Sequence, residues 1–192
     1  IAVDVGVIGV ALFQIPNQPI YFTSEKPTPK RRIEDAMIAY TWYHFMQNPD
    51  QPDWLARLPM TKAVVRAMDT VADYRKATQT ITKFVVAGGS KRGWTTWTTA
   101  AVDKRVIAMI PLVLDVLNLH PSLHHMWRSY GGWTFAFKDY YALNFTQDLD
   151  TAATQQMFAI VDPYVYRDRF TMPKMVVNAG GDEFLQPQDD SV

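Results

Sequence analysis

The sequence predicts an α/β fold, a mostly parallel sheet with helices on both faces. Three observations carry this. Apolar runs at residues 5–15, 83–87, 106–114 and 174–178 show little alternation, as strands buried on both faces do. Helix-compatible stretches separate these runs, the order that a parallel sheet requires. The 192 residues, 48% of them hydrophobic, are enough for one domain with a sizeable core.

Residues 5–15 read as the first strand. Residues 16–32, with four prolines and the basic cluster Lys30, Arg31 and Arg32, read as a loop whose cations are solvated. A helix is expected over 33–47, where Ile33, Met37, Tyr40 and Phe45 lie near helical spacing and Glu34 and Asp35 occupy the first turn. The stretch NPDQPDW breaks it. A second helix is expected from Pro59, at the favoured first position, to about Lys76, with the stripe Val64, Val65, Met68, Val71 and Ala72.

Residues 83–87 form the next predicted strand. A helix over 94–102, begun at or just before Lys91, leads to a strand over 106–114 that ends at Asp115. Residues 119–160, aromatic and rich in histidine, are expected to form short helices as a cap or insertion. The strand at 174–178 ends in Ala179-Gly180-Gly181-Asp182. Repeats and low-complexity segments are absent. The whole, 1–192, reads as a single domain fragment, because the chain opens without Met in one apolar run and stops soon after another.

Composition removes several function classes. Lys plus Arg and Asp plus Glu both number 19, so no net field draws the chain to nucleic acid or anionic lipid. The longest uncharged apolar run, 5–13, is too short to span a bilayer, and no basic region precedes it as in a signal peptide. With no cysteine there is no disulfide, thiol catalysis or cysteine-ligated metal.

In parallel sheets function sits at the carboxyl ends of strands, which directs attention to FVVAGGSKRGWTTW, residues 84–97. A phosphate-binding loop of the Walker type needs Lys and Ser or Thr after its last glycine, and here Gly93 is followed by Trp94. The dinucleotide fingerprint needs glycine where Ser90 stands. No cofactor is therefore expected. A nucleophile elbow needs a strand, a tight turn with serine at its apex, and a following helix, with small neighbours where backbone is crowded. Gly88 and Gly89 supply those neighbours, although the third glycine falls at Gly93 and Arg92 holds the place two after the serine. A structural serine in a strand-to-helix turn remains the alternative. Trp94 and Trp97 are expected to pack that helix on the sheet.

The acid of a serine hydrolase follows a later strand, in the chain order Ser, Asp, His. Asp182 fits that place, and Asp115 is its rival. His44, His120, His124 and His125 all precede Asp182. His44 is expected to serve in packing or at the surface, and the other three to form wall or core. The stretch HPSLHH has no carboxylate at ligand spacing nearby, so no metal is expected.

Longer stretches carry a resemblance. QIPNQPIYF, RRIEDAMIAYTWYHFM, LPMTKAVVRAMDTV, FVVAGGSKRGWTTWTTAAVDKRVIAMIPLVLDVLN, YGGWTFAFKDYY and VDPYVYRDRFTMPKMVVNAGGDEF together resemble the PhoPQ-activated pathogenicity-related proteins. They cover most of the chain in that family's order, and GGSKRGWTTW and DPYVYRDRFTMPK are the specific ones. The resemblance implies an α/β-hydrolase-like fold with Ser90 at the elbow apex and Asp182 as triad acid. It also implies a histidine downstream of this chain and, because the family includes a secreted amoebal proliferation repressor, a secreted or periplasmic location. The Arg92 position is the family's own pattern.

The expected chemistry is acyl transfer on a small-molecule or peptide substrate. Ser90 would attack, a histidine outside the chain would take its proton, and Asp182 would orient that imidazole. The Lys91 backbone N–H, with a second donor from residues 14–17, would meet the oxyanion. Ser90's strand is expected to be central in the sheet. The other reading is a secreted binding protein, of signalling or virulence type, that uses the same fold without catalysis.

Overall fold

A computed structural model of the chain describes residue 2 and residues 4–114 and 117–182. Its helices are α1 (Glu34–Gln47), α2 (Arg57–Arg75), α3 (Lys91–Val102), α4 (Leu119–Tyr130), α5 (Lys138–Tyr141) and α6 (Ala152–Val161). The strands are β1 (Phe84–Gly89) and β2 (Val106–Leu112), and short 3₁₀ segments fall at Pro52–Trp54, Phe135–Phe137, Phe145–Gln147 and Pro163–Arg169. The fold is mixed α/β.

β1 and β2 pair in parallel, with Val86 opposite Met109 and Gly89 opposite Leu112, and α3 is the crossover between them. On the far side of β2, Lys174 bridges Met109 and Val177 bridges Leu112, also in parallel. Met175 N–H donates to Met109 O at 3.0 Å and Val113 N–H to Val177 O, so this run follows β2 without becoming a full strand. The parallel order of the last three predicted strands is therefore present.

Three expectations are corrected. Residues 5–15 form no strand: Val5 is 65% exposed and Phe13 79%, and no ladder joins them to β1. Apolar, β-branched composition suits a pleated surface but does not supply the partner edge that makes a strand. β1 is at the edge of the described sheet, since β2 lies between it and residues 174–177. Nor are both faces covered among the described residues. Val86 and Met109 point into the core under α3, whereas Val85 and Ile107 on the other face are exposed. A solid apolar run cannot say which of its faces finds a neighbour.

The helices fall close to expectation. α1 buries Met37, Ile38, Trp42 and Phe45. α2 starts at Arg57, two residues earlier than expected. Pro59 is tolerated in its first turn because the N–H it lacks would have no intrahelical acceptor. α3 is buried almost all round, against β1, β2, α2 and the Pro163–Arg169 segment, and Thr95, Thr96 and Thr98 return their hydroxyls to the preceding turn's carbonyls. Trp94 and Trp97 are buried packing residues, but their contacts lie outside the strands: Trp97 meets Phe170 edge-on at 4.9 Å, and Trp94 Nε1 donates to Val161 O at 2.6 Å.

Residues 119–160 are short helices that share the main core. Trp42 of α1 is ringed by Tyr140, Phe145 and Phe158, with centroids 5.0–6.5 Å away, and by Trp94 of α3 at 6.0 Å. The basic cluster also departs from expectation at one residue. Lys30 is solvated, but Arg32 is nearly buried, donating to Glu25 and lying over the Tyr40 ring at 4.2 Å.

Candidate active site at the β1–α3 turn

The apolar strand 84–87 ends in two glycines, and the helix begins within two residues of them. Such a short connection brings helix backbone against strand. A Cβ on Gly88 would lie 2.6 Å from Arg92 O, and one on Gly93 would lie 3.0 Å from Leu112 O and 3.1 Å from Gly88 O. Gly88 thus lets α3 approach its own strand, and Gly93 lets it approach β2. A Cβ on Gly89 would meet nothing within 4 Å. The displaced third glycine is explained by this packing, since position 93, not 92, faces the sheet.

Ser90 sits between them at φ 54° and ψ −126°, a left-handed backbone that side chains rarely adopt. Its N–H donates to Leu112 O at 2.9 Å, which ties the apex to the end of β2. The side chain is exposed, and its hydroxyl does not cap α3. The usual structural role of a serine before a helix is therefore unfilled. Lys91 is the first residue of α3, so its N–H has no intrahelical acceptor and stands beside the apex with the positive end of the helix dipole.

The two cations after the serine are held by α1. Lys91 Nζ lies 2.8 Å from Glu34 Oε2 and 3.0 Å from Asp35 Oδ2, and Arg92 grips both Glu34 oxygens at 2.7 and 2.8 Å. The Arg92 guanidinium, chiefly, holds the Glu34 carboxyl well below the usual carboxylate range. Gln18 joins from the loop, accepting from Glu34 N–H at 2.8 Å and donating to Glu34 Oε1. Glu34 thereby connects the loop that includes residues 14–17 to the first turn of α3. Below it, buried Arg57 donates to Lys91 O at 3.0 Å and stacks on Trp94 at 3.9 Å, and burial pushes its pKa down to about 10.

Asp182 follows the run that flanks β2. Its N–H donates to Ala179 O at 3.2 Å, and the Tyr130 hydroxyl donates to its backbone oxygen at 3.4 Å. Ser90 and Asp182 both follow carboxyl ends of the same parallel array, with β2 between their strands: Gly89 and Val177 pair with Leu112 from its two sides, about two strand spacings or ~10 Å apart. Asp115 lies outside the described residues. Two cavities of about 660 and 750 Å³ flank α1–α2 and β1, respectively, and Ser90 lines neither.

Three of the histidines are engaged away from this turn. His44 stacks on Trp54 at 4.1 Å, the packing role expected of it. His120 and His124, one turn apart on α4, instead hydrogen-bond Asp150 Oδ1 at 2.7 and 2.8 Å. The expectation that no carboxylate stands at ligand distance is thereby corrected, because Asp150 arrives from a turn 26 residues beyond His124.

Sequence reasoning also missed Asp162. It is buried, and its carboxylate accepts from Leu119 N–H at 2.6 Å, Tyr164 N–H at 2.8 Å and Asn118 N–H at 3.2 Å, pinning the start of α4. Burial nonetheless raises its carboxyl above the ordinary value. Its one legible signal was local: an Asp-Pro pair opening a helical segment.

Compared with known proteins, residues 1–192 match a family described as PhoPQ-activated pathogenicity-related protein. The chain belongs to this family. Autocrine proliferation repressor protein A of Dictyostelium discoideum is 46% identical over 183 residues, which are 95% of this chain and 36% of that relative. The chain thus spans about a third of the length of the curated relative it matches. Within the matched residues, GGSKRGWTTW spans the β1–α3 turn and the first two turns of α3. No helix among the described residues is long and apolar enough to cross a membrane.

Proposed function

We propose that this PhoPQ-related chain carries the nucleophile half of a serine hydrolase, of esterase or peptidase class, on an α/β-hydrolase-like fold. The observation that carries the reading is the Ser90 backbone: a serine in a strained left-handed conformation, where glycine is cheaper, whose hydroxyl is exposed and caps nothing. Strain of this kind persists where the surroundings enforce it, and here Gly88, Gly93 and the Glu34 network do so.

In this mechanism Ser90 Oγ attacks the acyl carbon while a histidine from outside these residues takes its proton. The carbonyl electrons move onto oxygen, which meets the Lys91 N–H at the α3 N-terminus. The histidine then protonates the leaving alcohol or amine as the tetrahedral centre collapses to an acyl-enzyme, and water releases the acid by the reverse roles. Asp182 orients the imidazole. A secreted or periplasmic location accompanies this reading through the family.

The second reading is a non-catalytic secreted binding protein. It is favoured by the edge position of β1, by cavities that Ser90 does not line, and by a relative named as a proliferation repressor. Labelling of the full-length protein with a fluorophosphonate separates the two. Labelling abolished by Ser90→Ala supports the hydrolase. Absence of labelling in correctly folded protein, with no turnover of acyl esters, sinks it.

A further inference from the structure

His120, His124 and Asp150 play no part in the proposed acyl chemistry, yet they converge. α4 carries the two histidines at i and i+4, so their rings project from one face and meet edge-to-face with centroids 4.7 Å apart. Asp150 comes from the turn before α6, where Thr151 caps the helix by accepting from Thr154 N–H. Both Nε2 atoms turn onto the same carboxylate oxygen, and the three ligand atoms all lie within 4.8 Å of one another.

We propose that His120, His124 and Asp150 form a divalent transition-metal site of the zinc class, which clips α4 to the N-terminus of α6. Two neutral imidazoles and one carboxylate are a donor set that zinc accepts, leaving a fourth position for water or a further ligand. Bonds of about 2.1 Å place tetrahedral ligands about 3.4 Å apart. The present Nε2 to Oδ1 separations of 2.7 and 2.8 Å need widen only modestly to admit an ion. Asp150 has the room to do so, being 72% exposed, and the half-exposed histidines leave an entry path. Calcium and magnesium do not suit the site, since they demand oxygen shells and this one offers nitrogen on two of three ligands.

The ion replaces a weaker arrangement. Exposed His–Asp contacts contribute little to stability. A metal that binds the folded state alone stabilises it in proportion to its concentration over its dissociation constant. The clip would close the chain between residues 124 and 150, which encloses Tyr140 of α5 and Phe145 of the following 3₁₀ turn, both packed against Trp42.

The test is calorimetric titration of metal-free, full-length protein with Zn²⁺, and with Co²⁺ as a spectroscopic probe. The expected result is uptake at this site, visible d–d bands from Co²⁺, and a rise in Tm with Zn²⁺ that a chelator reverses. His120→Ala, His124→Ala and Asp150→Asn should each weaken affinity by more than the roughly 10–100-fold that loss of an outer-shell partner costs. His125→Ala, the neighbouring residue on α4, should leave it unchanged. These side chains are partly or fully exposed, and unaltered circular dichroism will confirm that the variants fold. Absence of Zn²⁺ uptake overturns the proposal, as does uptake that survives the His120→Ala/His124→Ala pair or Mg²⁺ binding of equal strength.

Discussion

Glu34, the first residue of α1, holds both cations that follow Ser90: Lys91 at 2.8 Å and Arg92 at 2.7 Å. The first turns of two helices, 58 residues apart in sequence, are thus pinned to each other beside the serine. A pair of acidic residues that reads as dipole compensation for α1 is, in the fold, the anchor of the α3 N-terminus.

Lys91→Met tests that anchor. The ammonium is nearly buried, while Glu34 is about one-third exposed, so the cost should fall below the ~3–5 kcal/mol of a fully buried pair, at about 1–3 kcal/mol. Urea denaturation measures it. A change under about 0.5 kcal/mol would show that the network does not stabilise the turn.

The pH dependence follows from Glu34. Its folded carboxyl is held below the ordinary value, first by hydrogen bonds from Arg92. A depressed acid contributes stability in full above its unfolded pKa, about 4.3, and loses it as pH falls through the folded value. Glu34→Gln should lower stability at neutral pH and flatten the acid limb below about pH 4.3. Parallel acid limbs in the variant and the parent would refute the assignment.

Gly88 and Gly89 are adjacent and alike in sequence, yet only the first should be sensitive to an added methyl. Gly88→Ala drives a methyl to 2.6 Å from the Arg92 carbonyl, and overpacking of this kind costs about 1–3 kcal/mol. Gly89→Ala places it in open space and should stay within about 0.5 kcal/mol of the parent. Equal denaturation midpoints for the two variants would contradict the described approach of α3 to β1.

Ser90→Gly should make the protein more stable, by about 1 kcal/mol. Relief of a left-handed conformation returns about 1–3 kcal/mol, and the added freedom of glycine in the unfolded chain takes back about 0.5–1. The same change removes the proposed nucleophile. A destabilised Ser90→Gly variant would show that the serine is there for the fold.

Asp162→Ala strips the acceptor from three backbone N–H groups at once, two of them opening α4. Buried donors left unpaired cost about 1–3 kcal/mol. Hydrogen exchange should quicken at Leu119 and Tyr164 before it does in α3.

The sequence by itself determined the helices, two of the strands and the serine's turn, because local rules govern them. Apolar spacing marks α1 and α2, and GGS between an apolar run and a helix-compatible one marks a strand-to-helix turn whichever sheet it joins. Tertiary structure decided what needed a partner. The run at 5–15 had strand composition but met no edge, β1 lay beside one neighbour where two were expected, and Val85 faced outward while Val86 faced the core. The same holds for the charged groups. Glu34 reaches Lys91 and Asp150 reaches His120 only because the chain folds back over tens of residues, and no periodicity of 2 or 3.6 records a contact at that separation. Local propensity fixes the backbone of a turn, but the identity of the side chain that crosses to meet it is set by packing alone.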